Sequence, residues 1–256
     1  MKGFASVYRK ELYALFASPI FYAMGLTFLV ISGYFFYNSV AYFNLLSFQA
    51  SQNLALAEQL SLEQMVIRPF ILDLSIVLLL ICPLITMRLY AEERKAGTLE
   101  LLCTYPIADR STLLAKFGAV VTALGIILAG TLPGIVVLGA ISSLNWQAVL
   151  CGYLGIFLLG SSFMSLGIFT SSMTQNQIIA AVLSFGALLM FWVIGWTKSL
   201  VGPTAGALVE YLSITRHLDS FAKGVLDSRD IIYYVSFVIL FLFLTLRQLE
   251  SYRWRG

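Results

Sequence analysis

This sequence predicts an all-α integral membrane fold with six spanning helices, and three observations carry that expectation. Hydrophobic residues make up 59% of its 256 positions and charged residues 11%, at a mean hydropathy of +0.88, whereas soluble domains average about half apolar and about a quarter charged. No Asp, Glu, Lys, Arg or His stands between Lys116 and Lys198, and about 20 apolar residues suffice for one crossing, so this stretch alone can hold three. The remaining charge is gathered in a few places, most densely in "AEERKAGTLELLCTYPIADR", Ala91 to Arg110.

Residues 2–16 form the first expected element, an amphipathic helix lying in the headgroup layer. At about 100° per residue, Phe4, Tyr8, Leu12 and Leu15 share one arc, and Lys2, Arg9 and Lys10 face across from them. A secretory signal also opens on basic residues. Here, however, the apolar run is too long for a signal core, and basic residues recur at Arg9 and Lys10, so the segment is expected to be retained. Glu11 falls beside the apolar arc, near Val7, which leaves two readings: a solvent-facing acid, or a polar contact to a partner or to residues 88–116.

Ser18 and Pro19 then turn the chain into a first span at about 20–43. The second, about 70–89, follows Pro69, a first-turn position where a missing N–H costs nothing. Turn-forming "SSLNWQ" (142–147) and "SSMTQNQ" (171–177) divide the uncharged stretch into spans at about 117–141, 148–170 and 178–197. "IIYYVSFVILFLFLTLR" supplies the sixth, 231–247, and the loops of interest are 90–112 and 198–230. An even number of spans puts both termini on one side. That side carries 11 of the 16 Lys and Arg residues and the other carries 5, so both termini and the 90–112 loop are expected in the cytoplasm.

Little in the chain suits catalysis. Cys82, Cys103 and Cys151 show no CxxC spacing, His217 is the only histidine and is expected on a loop surface, and no metal site is expected. No phosphate-cradling glycine loop, GxSxG elbow or HExxH pair occurs, and no nucleic-acid partner is expected. Asp73 lies near the outer end of the second span, where interface solvation is its simplest role and a substrate or helix-pairing role the alternative.

The 91–110 segment reads as helix, interruption, short helix and turn. Glu93, Gly97 and Glu100 share a face at i, i+4 and i+7, and Thr98 suits a fresh helix start after Gly97. Gly97 fits either a bend or a plain helix terminus. Pro106 stops the second piece, and Asp109 or Ser111 can cap the third span. Helix connections in bundles usually need about two to eight residues, so a connector of this length points to a docking role rather than a solvated link.

"EERKAGTLELLCTYPIADRSTLLAKF", Glu92 to Phe117, resembles the signature of type-2 ABC exporter permeases: E-x-x-x-G-T-L-E-L-L, a few residues, P-[IV], then a K-F pair opening the third helix. "YRKELYALFASPIFY" from Tyr8 and "HLDSFAKGVLDSRDIIYYVSFVILFLFLTLRQLESYRW" from His217 are similar to the permease subgroup associated with gliding motility and nitrous-oxide-reductase maturation.

The resemblance implies a non-catalytic subunit that pairs with a second permease, identical or a close paralogue, in the bacterial plasma (inner) membrane. No Walker motif is present, so ATP and Mg would be held by a separate cytoplasmic ATPase, and this chain binds no cofactor. In the family the loop after the second span is the coupling helix, which assigns Glu92, Glu93, Arg94, Gly97, Thr98, Glu100 and Leu101 to the ATPase contact, with Arg9, Lys10 and Glu11 of the interfacial helix beside them. It also implies short outer helices before the sixth span. "LVGPTAGALVEYLS", Leu200 to Ser213, has the interrupted apolar character of a re-entrant segment, with a peripheral loop as the alternative.

Export of a substrate is the expected function, and the aromatic residues, 14% of the chain, do not name that substrate. A membrane scaffold, moved by its ATPase to act on a partner protein, shares every motif. A membrane-embedded enzyme fits poorly, because only Asp73 intrudes into a span.

Overall fold

In the computed structural model, residues 2–50, 61–98, 108–195, 206 and 211–253 are described, and every regular element among them is helical. Helix α1 (Lys2–Phe16) is followed by α2 (Pro19–Ala50). A short π-helix (Glu63–Ile67) leads into α3 (Arg68–Thr86), and α4 (Arg88–Lys95) follows after one residue. The chain continues through α5 (Asp109–Ala129), α6 (Leu132–Ile141), α7 (Trp146–Met173), α8 (Gln177–Val193), α9 (Ile214–Ala222) and α10 (Ser228–Arg253).

Among the described residues, five helical runs are long and apolar enough to cross a membrane: Pro19–Ala50, Glu63–Lys95, Asp109–Ile141, Trp146–Met173 and Ser228–Ser251. The apolar helix Gln177–Val193, at 17 residues, is shorter, and residues 196 and 197 of the span expected there lie outside the described residues.

The two polar separators act as caps. Asn145 accepts from the Gln147 N–H at the start of α7, and Asn176 from the Ile178 N–H at the start of α8, so each satisfies a donor that the first turn leaves free. The expected third span, 117–141, is in two pieces. Pro133 has no N–H to give and its ring crowds the preceding turn, so the helix stops at Ala129 and restarts at Leu132.

Helix α7 sits at the centre, with 72% of its most apolar window inside the molecule against 17% for α2. Around it, Leu74, Leu78, Cys82, Leu124, Leu159 and Phe163 form a core with almost no exposed surface. Lipid tails are as apolar as leucine, so packing contacts rather than escape from water hold such helices together. Gly167 shows the consequence: a Cβ there would fall on Thr86 Oγ1, so its absence sets how closely α3 and α7 approach.

At the end of the bundle where α3 begins, α9 is pinned by charge. Arg68 donates to Asp219 from Nε at 2.8 Å and Nη2 at 2.7 Å, and Lys223 Nζ pairs with the other oxygen at 2.5 Å. Burial works against the Asp219 charge, but hydrogen bonds and attraction from Lys223 and Arg68 outweigh it and hold the carboxyl below its ordinary value. His217, expected on a loop surface, is instead buried, with Nδ1 2.6 Å from Asp230 Oδ1 and Nε2 2.9 Å from the Tyr211 carbonyl. The reason is periodicity: Ile214, His217, Leu218 and Phe221 recur at helical spacing and form the inward face of α9. Most of the expected re-entrant segment, 200–213, lies outside the described residues.

Candidate functional site

Among the described residues, the densest polar constellation lies at the opposite end, where α1, α4, α5 and the last turn of α7 meet. Lys116, two turns into α5, is 1% exposed. Its Nζ donates to Glu11 Oε1 at 2.8 Å, to Glu93 Oε1 at 2.9 Å and to the Leu89 carbonyl at 2.9 Å. An ammonium has three protons, so this one is fully used, which is the condition for burying a charge. The Tyr90 ring lies under it, 5.0 Å from Nζ to the centroid.

Lys10 completes the cluster from the rim, 3.2 Å from Glu93 Oε1 and 3.7 Å from Glu11 Oε1. Burial disfavours its charge, but Glu93 and then Glu11 outweigh that and raise Lys10 above the ordinary lysine value. Two lysines against two carboxylates leave the cluster neutral. It joins α1, the segment α4 and the start of α5 in one network, to which the Tyr8 hydroxyl adds a 2.8 Å bond to Thr122 Oγ1. Of the two readings open for Glu11, the structure selects the contact to residues 88–116.

Helix α4 ends as its sequence indicates. The Ala96 N–H closes on the Glu92 carbonyl and the Gly97 N–H on the Arg94 carbonyl, and Gly97 adopts φ +69. Glycine enters the left-handed region without the steric cost a Cβ brings, so Gly97 is a helix terminus rather than a bend. Thr98 Oγ1 donates back to the Glu93 carbonyl at 3.3 Å.

Between α1 and α4 runs an open groove of about 340 Å³, lined by Lys10, Glu11, Ala14, Arg88, Glu92 and Thr98 among others. Arg88 closes one side by donating to the Ala14 carbonyl at 3.3 Å. Arg9 and Glu92 are exposed, while Glu93 and Arg94 are half-buried. The structure therefore brings together Lys10, Glu11, Glu92, Glu93 and Thr98 at one groove and leaves Arg9 outside the cluster. Arg94 turns away toward α7, donating from Nη1 to the Ser172 carbonyl at 2.6 Å. Glu100 and Leu101 lie outside the described residues.

Three participants do not stand out in the sequence. Lys116 reads there only as part of a K-F pair, and its burial depends on two acids far away along the chain. Ser171 and Ser172 read as part of a turn, whereas α7 continues to Met173 and delivers both to α4. Among the described residues no group of His, Cys, Asp or Glu is arranged to hold a metal ion. Cys82 and Cys151 are buried free thiols, and Cys103 lies outside the described residues.

Among the described residues of this junction no nucleophile is paired with a base. No curated protein sequence matches the chain. The family model described as ABC-2 family transporter protein matches residues 5–247, from α1 to the last turns of α10. Helices of this length and composition fit that match, and the chain belongs to the ABC-2 transporter family as a multi-pass transmembrane permease component of an ABC transporter, a system whose ATPase is a partner.

Proposed function

We propose that this chain is one permease of an exporter in a bacterial inner membrane, crossing six times with both termini in the cytoplasm. Two copies, or this chain and a close paralogue, would pair, and a cytoplasmic ATPase holding ATP and Mg docks on the groove between α1 and α4. The observation that carries the reading is the buried Lys116, which ties α4, α1 and α5 together, so a load on α4 reaches the bundle without being lost in a loose connector. Exposed Glu92, Lys10 and Arg9 offer a mixed-charge rim suited to a complementary protein surface, and Gly97, Thr98, Glu100 and Leu101 continue the contact. The stretches from Tyr8 and from His217 favour the gliding-motility and nitrous-oxide-reductase-maturation subgroup.

ATP closure of the partner would bias a two-state equilibrium of the helix bundle, and only the difference in its interaction with the two states does work. The test is co-purification of the ATPase with this chain in lipid, with hydrolysis measured in the presence and absence of the chain. Gly97→Val and Glu92→Lys are expected to weaken retention at least tenfold. Unchanged retention in both overturns the docking assignment. Stimulation of hydrolysis by a transported solute in proteoliposomes supports export, and insensitivity across a broad solute panel supports the scaffold instead.

A further inference from the structure

Helices α3 and α4 are consecutive, yet a side chain of a third helix bonds to the backbone on both sides of the turn that starts α4. In an uninterrupted α-helix the Ala91 N–H closes on the Met87 carbonyl, the i to i−4 bond. Ser171 of α7 stands between these two groups. Its hydroxyl donates to the Met87 carbonyl at 2.8 Å and accepts from the Ala91 N–H at 3.1 Å and the Tyr90 N–H at 3.1 Å. A serine hydroxyl has one proton and two lone pairs. All of its capacity is therefore spent on one turn of another helix, in a site with 0% exposure.

Insertion of a side chain into the ladder is one of the few recognised causes of a break in a helix. Here the backbone stays helical, with Met87 at φ −53 and ψ −32 and its N–H closed on the Pro83 carbonyl at 2.9 Å, so the axis continues and it is on the carbonyl side of Met87 that Ser171 enters. One turn further back the ladder also lacks a bond, the one from residue 83 to the Leu79 carbonyl. Pro83 has no N–H to contribute, and Thr86 Oγ1 donates to the Cys82 carbonyl at 2.8 Å instead of reaching a neighbouring helix. On the far side, Arg94 bonds to the Ser172 carbonyl at 2.6 Å. Both ends of α4 are thus fastened to α7, and a single residue, Met87, joins it to α3.

We propose that Ser171 is the pivot of a hinge at Met87, a positioning residue that makes α4 move with α7 rather than with α3, the helix it continues. Motion of α4 then enters the bundle through its central helix. The inference rests on the docking reading only for the source of that motion; the pivot itself belongs to this chain.

Threonine and valine share a shape and differ by the hydroxyl, so Ser171→Thr and Ser171→Val isolate it. The chain is placed in lipid nanodiscs with Cys82, Cys103 and Cys151 replaced by Ala and spin labels at Lys95 and Gln175, and the distance distribution is measured by electron paramagnetic resonance. The unsubstituted chain and Ser171→Thr are expected to give one narrow distribution, and Ser171→Val and Ser171→Ala one at least twice as broad. Ser172→Ala is the internal control, since its own hydroxyl donates to the Phe169 carbonyl within α7, and it is expected to change nothing. Identical distributions for Thr and Val overturn the proposal. If both fail to fold, Ser171→Ala matching Ser172→Ala overturns it equally. In a second arm, Ser171→Ala retains the co-purified ATPase, because the outer face of α4 is untouched, but ATP now changes the Lys95–Gln175 separation, which stays constant in the unsubstituted chain; a constant separation in Ser171→Ala overturns the proposal. Failure of the unsubstituted chain to retain any ATPase sinks the docking reading alone, and the distance comparison still decides the hinge.

Discussion

Lys116 is the residue with the least freedom to change. It gives three protons to three acceptors from two other elements, and its removal leaves Glu11 and Glu93 facing each other, both mostly buried. Removing one partner of a buried ion pair typically costs about 3–5 kcal/mol, whereas replacing the whole group with apolar residues of similar volume is often neutral. Lys116→Met is therefore expected to lower the melting temperature of the purified chain sharply, and Lys116→Met combined with Glu11→Leu to recover part of the loss. Scanning fluorimetry in one detergent checks both, and additivity of the two changes would contradict the network. Lys10 makes a milder contribution from the rim. Its value is raised in the folded chain, so the stability it adds is fully present below the ordinary 10.5 and is lost as pH rises through the folded value. Lys10→Met should therefore leave the melting temperature at pH 7 lower than in the parent, with the gap closing as the pH climbs beyond 10.5.

At the scale of the element, α4 is defined by how it stops and by what holds it. Gly97 sits at φ +69, and a Cβ added there would meet no neighbour among the described residues within 4 Å, so the backbone conformation sets the cost of a substitution. Asparagine enters the left-handed region readily and β-branched residues do not. Gly97→Asn is expected to stay within about 0.5 kcal/mol of the parent and Gly97→Val to lose about 1–2 kcal/mol, read as the shift in melting temperature. This terminus is legible in the sequence, because a glycine after "ERKA" follows the ordinary grammar of helix ends. So are the caps at Asn145 and Asn176 and the long apolar runs. The interruption at Gly130 and Thr131 is signalled by Pro133 but hidden by the unbroken hydropathy around it. Ser171 is not legible at all: a serine before a polar turn carries no local sign that its hydroxyl will enter another helix. His217 departs from expectation for a related reason. Charged residues at Arg216, Asp219 and Lys223 suggest a solvated loop, while the apolar period that buries His217 becomes evident only once 214–222 is taken as one helix.

Across the whole molecule, the two ends are fastened by different chemistry. At one end Lys116 and Ser171 hold α4 from within, buried and shielded from solvent. At the other, α9 is tied to α3 by Arg68, Asp219 and Lys223, whose side chains are 30–49% exposed. Solvent screens such pairs, so this tie is the weaker and the more responsive one. Asp219 has a lowered value in the folded chain. Its contribution is therefore present above the ordinary carboxyl value of 3.8 and is lost as pH falls through the folded value. Acid should release α9 before it disturbs the α1–α4 junction. Amide exchange, corrected for its intrinsic pH dependence, is expected to rise in residues 214–222 as the pH falls below 3.8 while residues 88–95 stay protected. Asp219→Asn should reproduce the α9 effect at pH 7, because it removes the same charge without acid. Simultaneous loss of protection at both ends, in acid or in the variant, would show that the bundle opens as a single unit and that the two fastenings are not independent.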